Sequence, residues 1–78
     1  MNNNVYLDPV AMSNNIKNLC ESRNITATKL HNALGDVSVQ GCHKWLRGDG
    51  SIPSLDNLVR IAHYLDVSLD ELVAITRY

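Results

Sequence analysis

Punctuation constrains the fold of this chain more than any other feature. Asp8, Thr26, Ser38, Ser54 and Ser68 each stand just before a short segment with apolar residues at helical spacing. A short oxygen-bearing side chain there accepts a hydrogen bond from a backbone N–H that the first turn of a helix leaves unpaired. Gly35 and Gly48 follow two of these segments as stops. The pattern predicts an all-α fold of five short helices.

Asp8-Pro9 opens the first helix, because a proline in the first turn loses an N–H that has no partner anyway. Met12, Ile16, Leu19 and Cys20 give its inward stripe, and it ends near Arg23-Asn24. The second helix runs from Thr26 to about Leu34, with Leu30, Ala33 and Leu34 inward. Asp36-Val37 is a tight turn, and Ser38 caps a third helix with Cys42, Trp45 and Leu46 as its apolar set. A Gly/Ser/Pro loop over 49–53 leads to Ser54 and a fourth helix carrying Leu55, Leu58, Val59, Ile61, Ala62 and Leu65. Ser68 and Glu71 form a capping box, with Val67 and Leu72 as a staple, and Leu69, Leu72, Val73 and Ile75 predict a fifth helix. Residues 1–8 are expected to be a flexible arm, in which Val5-Tyr6-Leu7 is either extended or packed back on the domain. Residues 9–78 form the single domain.

Seventy-eight residues with no Phe and a single Trp must build an aliphatic core, which suits helices better than a sandwich or barrel. A chain of this size hides only about 60% of its unfolded surface. Its stability is expected to be roughly 4–12 kcal/mol. The net charge of −1 does not by itself suggest a polyanionic partner. The charges are nevertheless segregated. From Lys17 to Arg47, five Lys/Arg face Glu21 and Asp36, a net of +3, whereas from Gly48 to Tyr78, Arg60 and Arg77 face five carboxylates, a net of −3. Either the molecule has a basic and an acidic half, or this is chance in a small protein.

Cys20 and Cys42 sit at apolar helical positions, and no Cys-x-x-Cys pair or zinc-like spacing is present. The expectation is two buried reduced thiols, no metal and no cofactor. No secretory signal or membrane-length apolar run is apparent, so a cytoplasmic protein with no membrane partner is expected. Ser38 and His43 are too close along one helix for a nucleophile–base pair oriented by a third group, and the carboxylates fall in caps and turns. No phosphate-binding glycine loop occurs, and a non-enzymatic role is expected.

The second helix, a four-residue turn and the third helix resemble the helix-turn-helix of the Cro/phage-repressor (XRE-type) DNA-binding family. Ile52-Pro53-Ser54-Leu55-Asp56-Asn57-Leu58, then Ile61-Ala62-His63-Tyr64-Leu65-Asp66-Val67-Ser68-Leu69-Asp70-Glu71-Leu72, is similar to that family's fourth and fifth helices, with Trp45-x-x-Gly48 in between. The resemblance covers about Met12 to Val73 and implies a lambda-repressor-like domain. It departs at Ala27, where the family usually has Gln, at His31, where a small residue is usual, and at Cys42, usually aliphatic. Asp36 looks like a one-residue insertion in the turn.

What the resemblance implies is a sequence-specific transcriptional regulator, a small phage or bacterial repressor that occupies a double-stranded operator. Gln40 and Lys44 share the face opposite Cys42 and Trp45, where Gln can bond adenine and Lys guanine. Val39 is placed against a thymine methyl. Gly41 either lets the backbone approach DNA or is tolerated at an exposed position. Thr26, Thr28, Lys29, Ser38, His43 and Arg47 are candidate phosphate contacts, with a solvated polar surface as the competing reading for each. A homodimer is implied, and Tyr64, Leu69, Val73, Ile75 and Tyr78 are a candidate apolar dimer patch. A rival reading keeps the fold but makes it a protein-interaction module, an antitoxin or antirepressor, or adds a regulatory protein partner.

Overall fold

The computed structural model describes the backbone of residues 5–73 and 75–77, and the side chains of residues 6–73. The elements in chain order are β1 (Val5–Leu7), α1 (Pro9–Ser22), α2 (Ala27–Leu34), α3 (Val39–Trp45), α4 (Leu55–Leu65), a 3₁₀ turn (Leu69–Glu71) and β2 (Ile75–Arg77). The protein is mostly helical, with one helix fewer than the sequence suggests.

The helix starts follow the capping chemistry. Asp8 Oδ1 accepts from the Ala11 N–H at 3.1 Å, Thr26 Oγ1 from Lys29 at 3.2 Å, Ser38 Oγ from Gly41 at 3.0 Å and Ser54 Oγ from Asn57 at 3.4 Å. Two helices end on non-glycine residues in the left-handed region, Asn24 after α1 and Asp66 after α4. There Ile25 and Val67 donate back to the carbonyls of Cys20 and Ala62 and close the last turn. Arg23 Nη1 also donates to the Leu65 carbonyl, so a side chain at the end of α1 covers the open end of α4.

The core gathers Met12, Ile16 and Cys20 from α1, Ala27, Leu30 and Leu34 from α2, Cys42 from α3, Leu58, Ile61, Ala62 and Leu65 from α4, and Leu72. Leu19, Trp45 and Leu46 pack partly buried against it, and three residues expected to face inward are exposed. These are Ala33, Leu55 and Val59. The narrower stripe Leu58, Ile61, Ala62, Leu65 suffices to seat α4, and the buried face of α2 is rotated onto Ala27.

The predicted fifth helix is a single 3₁₀ turn. Ser68 N–H does donate to Glu71 Oε2 at 2.9 Å, so the capping interaction forms. Leu72 is fully buried, and its carbonyl accepts from Asn15 Nδ2 of α1 at 3.3 Å. That carbonyl is thereby engaged from outside the segment where a longer helix would use it internally. The β-branched Ile75-Thr76 then enters β2, the conformation such residues favour.

β2 pairs antiparallel with β1 in the register Val5↔Arg77, Tyr6↔Thr76, Leu7↔Ile75. Val5–Leu7, for which the sequence leaves an extended arm or a segment packed back on the domain, is one strand of a two-stranded ribbon, with Tyr6 and Leu7 exposed.

Candidate nucleic-acid interface

α2 and α3 make the most extensive interhelical contact, joined by Gly35-Asp36-Val37 and the capping Ser38. Gly35 has φ +83°, which an L side chain rarely adopts. The turn is held on both flanks. His31 Nδ1 of α2 is hydrogen-bonded to the Val37 carbonyl at 2.5 Å, a bond that makes a polar residue acceptable in the helix crossing. From α4, Arg60 Nη1 donates to Asp36 Oδ1 at 2.7 Å, and Arg60 Nη2 donates to the Leu34 carbonyl. The hydrogen bond from Arg60 to Asp36 holds the Asp36 carboxyl below the usual carboxylate range.

α3 has two unlike faces. Cys42 is fully buried, and Val39, Trp45 and Leu46 pack partly buried against the core. Gln40, His43 and Lys44 are exposed at three- and four-residue spacing on α3, and Arg47, two residues past its end, is exposed as well. No hydrogen bond commits Gln40 or Lys44 to another described side chain. Arg47 is offset by Asp49, whose carboxylate lies 3.9 Å away with both groups exposed. Such a pair contributes little and leaves the guanidinium accessible.

The remaining expected site residues divide. Thr26, Thr28 and Lys29 are exposed at the start of α2. Lys29 Nζ donates to the Asn24 carbonyl at 2.9 Å, and Thr26 is a cap. Ser38 is exposed and caps α3. The Val39 side chain is partly buried and packs against the core. A Cβ on Gly41 would lie 3.1 Å from Val37 Cγ1 and 3.3 Å from Ser38 Oγ. Neither reading of the sequence includes these contacts; a side chain at 41 would fit only if Val37 or Ser38 shifted by a few tenths of an ångström.

Of the candidate dimer patch, Tyr64 is exposed. Leu69 and Val73 are partly buried and packed against the core, and the side chains of Ile75 and Tyr78 lie outside the described residues. Two residues that shape the site were missed. Arg60 carries no local signal for this role, because its partners at the turn, Leu34 and Asp36, are distant in sequence. Gly48, in the sequence a helix stop and the end of the Trp45-x-x-Gly48 element, at φ +75° also abuts α1, where a Cβ would lie 2.7 Å from Asn14 Oδ1.

Both thiols are buried, and burial pushes Cys20 up to about 11 and raises Cys42 as well. Among the described residues there is no group of three or more His, Cys, Asp or Glu placed to hold a metal ion. No helix among them is long and apolar enough to cross a membrane. What the arrangement offers chemically is a rigidly backed helix with amide, ammonium and imidazole groups facing outward, suited to hydrogen bonding with base edges and phosphates.

A family model described as Helix-turn-helix matches residues 16–72, which spans α2, α3 and α4 and the second half of α1. No match to the chain was found among curated proteins or among solved structures. The matched span is well over half of the sequence and contains the whole two-faced α3 with its supports, and the chain belongs to the Cro/C1-type (XRE) helix-turn-helix family of DNA-binding proteins.

Proposed function

We propose that this protein is a sequence-specific transcriptional regulator, a small repressor of phage or bacterial type, that reads an operator through the major groove with α3. The observation that carries this reading is the exposed set Gln40, His43 and Lys44 on α3, with Arg47 just beyond its end, opposite a face that packs against the core. Gln40 takes the bidentate bond to adenine and Lys44 reaches guanine, each contributing ~1–3 kcal/mol of discrimination. Gly41 brings the backbone close, and the outer part of Val39 meets a thymine methyl. Thr26, Thr28, Lys29, Ser38, His43 and Arg47 flank these positions and contact phosphates, which fixes register without reading sequence. The protein binds as a homodimer to half-sites about 34 Å apart. It represses by occupying DNA that polymerase needs.

The test is selection of bound duplexes from a random pool with wild type, Gln40→Ala and Lys44→Ala. Each substitution is expected to relax preference at one or two base positions, and wild-type affinity is expected to fall steeply as salt rises. A wild type that selects no duplex at low salt sinks the proposal and leaves the protein-interaction reading in its place. Selection that is unchanged in both variants shifts the reading face away from Gln40 and Lys44.

A further inference from the structure

We propose that Arg60, on α4 and outside the helix-turn-helix, is the positioning residue that fixes how α3 is presented to DNA. The inference rests on the DNA-reading role of α3 proposed above.

The path from α2 to α3 is Gly35-Asp36-Val37 and the cap Ser38, and its conformation sets the angle between the helices. Gly35, at φ +83° with nothing within 4 Å of where its Cβ would stand, gives the turn freedom to shift. The Arg60 guanidinium removes that freedom. It donates to the carbonyl of Leu34, the last residue of α2, and at 2.7 Å to the carboxylate of Asp36 in the turn itself. Its Nη1 also donates to Asn57 Oδ1 at 3.1 Å, one turn back along α4, which orients the side chain before it crosses to the turn.

The base of this clasp is rigid, because Ile61 and Ala62, the next two residues of α4, are in the core. The Asp36 contact is too exposed to contribute much to stability, with side-chain exposures of 39% and 72%. Its content is geometric. A guanidinium is a planar fork of fixed donors, able to serve a carbonyl and a carboxylate together, and a lysine ammonium has no such fork. Reading groups must be held within about 0.5 Å of their productive place. A turn that drifts carries Gln40 and Lys44 with it. The inserted residue Asp36 therefore has a partner that makes it a fixed point.

The experiment compares wild type with Arg60→Gln, Arg60→Lys and Asp36→Asn. The readouts are the affinity ratio between the selected duplex and a scrambled one, the salt dependence of binding and the melting temperature. Arg60→Gln is expected to lower the affinity ratio about fivefold or more, the low end of what one base contact contributes. Arg60→Lys should fail to restore it, Asp36→Asn should fall between, and the salt slope should stay at the wild-type value. A ratio within about twofold of wild type overturns the proposal, even if the melting temperature drops. A salt slope shallower by about 0.9 for each bound protomer also overturns it, because Arg60 would then be a phosphate contact. Should Arg60→Gln not fold, Arg60→Lys, which keeps charge and bulk, decides by the same two criteria. Should wild type select no duplex, the DNA reading fails separately, and amide hydrogen exchange of the free protein judges the clasp. Faster exchange of the Val37–Gly41 amides relative to α1 in Arg60→Gln supports it, and unchanged exchange overturns it.

Discussion

Replacing Gly48 with alanine, beside the same change at Gly35, separates two costs that usually arrive together. Both glycines have positive φ, +75° and +83°. An alanine held there costs about 1–2 kcal/mol in backbone strain. At Gly35 a Cβ meets nothing within 4 Å, so that strain is the whole expected loss. At Gly48 the Cβ would sit 2.7 Å from Asn14 Oδ1 and 3.1 Å from Lys17 Cδ, so α1 side chains must move. Both atoms lie toward the ends of flexible side chains, and the Asn14 amide can turn aside for about 0.5–1.5 kcal/mol. Gly48→Ala should therefore destabilise more than Gly35→Ala by about that amount. In a domain of this size 1 kcal/mol moves Tm by about 4–8 °C, so the excess is readable in thermal melts followed by far-UV circular dichroism. In an Asn14→Ala background most of the excess should vanish while the strain remains. Equal losses at the two glycines, or an excess that survives Asn14→Ala, would refute the claimed contact between the end of α3 and α1.

Two further outcomes test the core. The Cys20 thiol, with 1% exposure, is pushed from 9.0 to about 11, so the folded state keeps a proton that the unfolded chain gives up. Its contribution is whole below pH 9 and is lost as pH rises toward 11, at most about 3 kcal/mol. Denaturant midpoints at pH 8 and pH 10.5 should show that fall, and Cys20→Ala should flatten it; an equally steep fall in the variant counts against the assignment. Leu30, fully buried in α2, should lose about 2–5 kcal/mol on truncation to alanine, a large share of the roughly 4–12 kcal/mol expected in all. A loss under about 1 kcal/mol in urea unfolding would contradict its place in the core.

Asp8, Thr26, Ser38 and Ser54 were legible as helix starts because a cap and its N–H lie three residues apart, entirely within local sequence. The two faces of α3 were legible for the same reason, since Cys42 and Trp45 against Gln40 and Lys44 is a matter of spacing. Tertiary contact decided the rest. Ser68 and Glu71 signalled a helix start and made one, yet nothing local showed that Asn15 would engage the Leu72 carbonyl after a single turn. The apolar stripe of α4 was read too wide because Leu55 and Val59 share helical spacing with the core residues but face outward. His31 and Asp36 stood out as departures from the family pattern, and their partners, the Val37 carbonyl and Arg60, emerge only once three elements meet at the turn.

The β1–β2 ribbon has a consequence for the order of assembly. The α2–α3 turn and the helix caps join near neighbours in the chain, whereas Leu7 and Ile75 are brought together only after nearly the whole polypeptide has been looped back. Closing so long a loop is entropically uphill, and two strands alone are marginal in water. The ribbon therefore zips last, on a helical body already formed, and it is the first part to open again when the protein fluctuates.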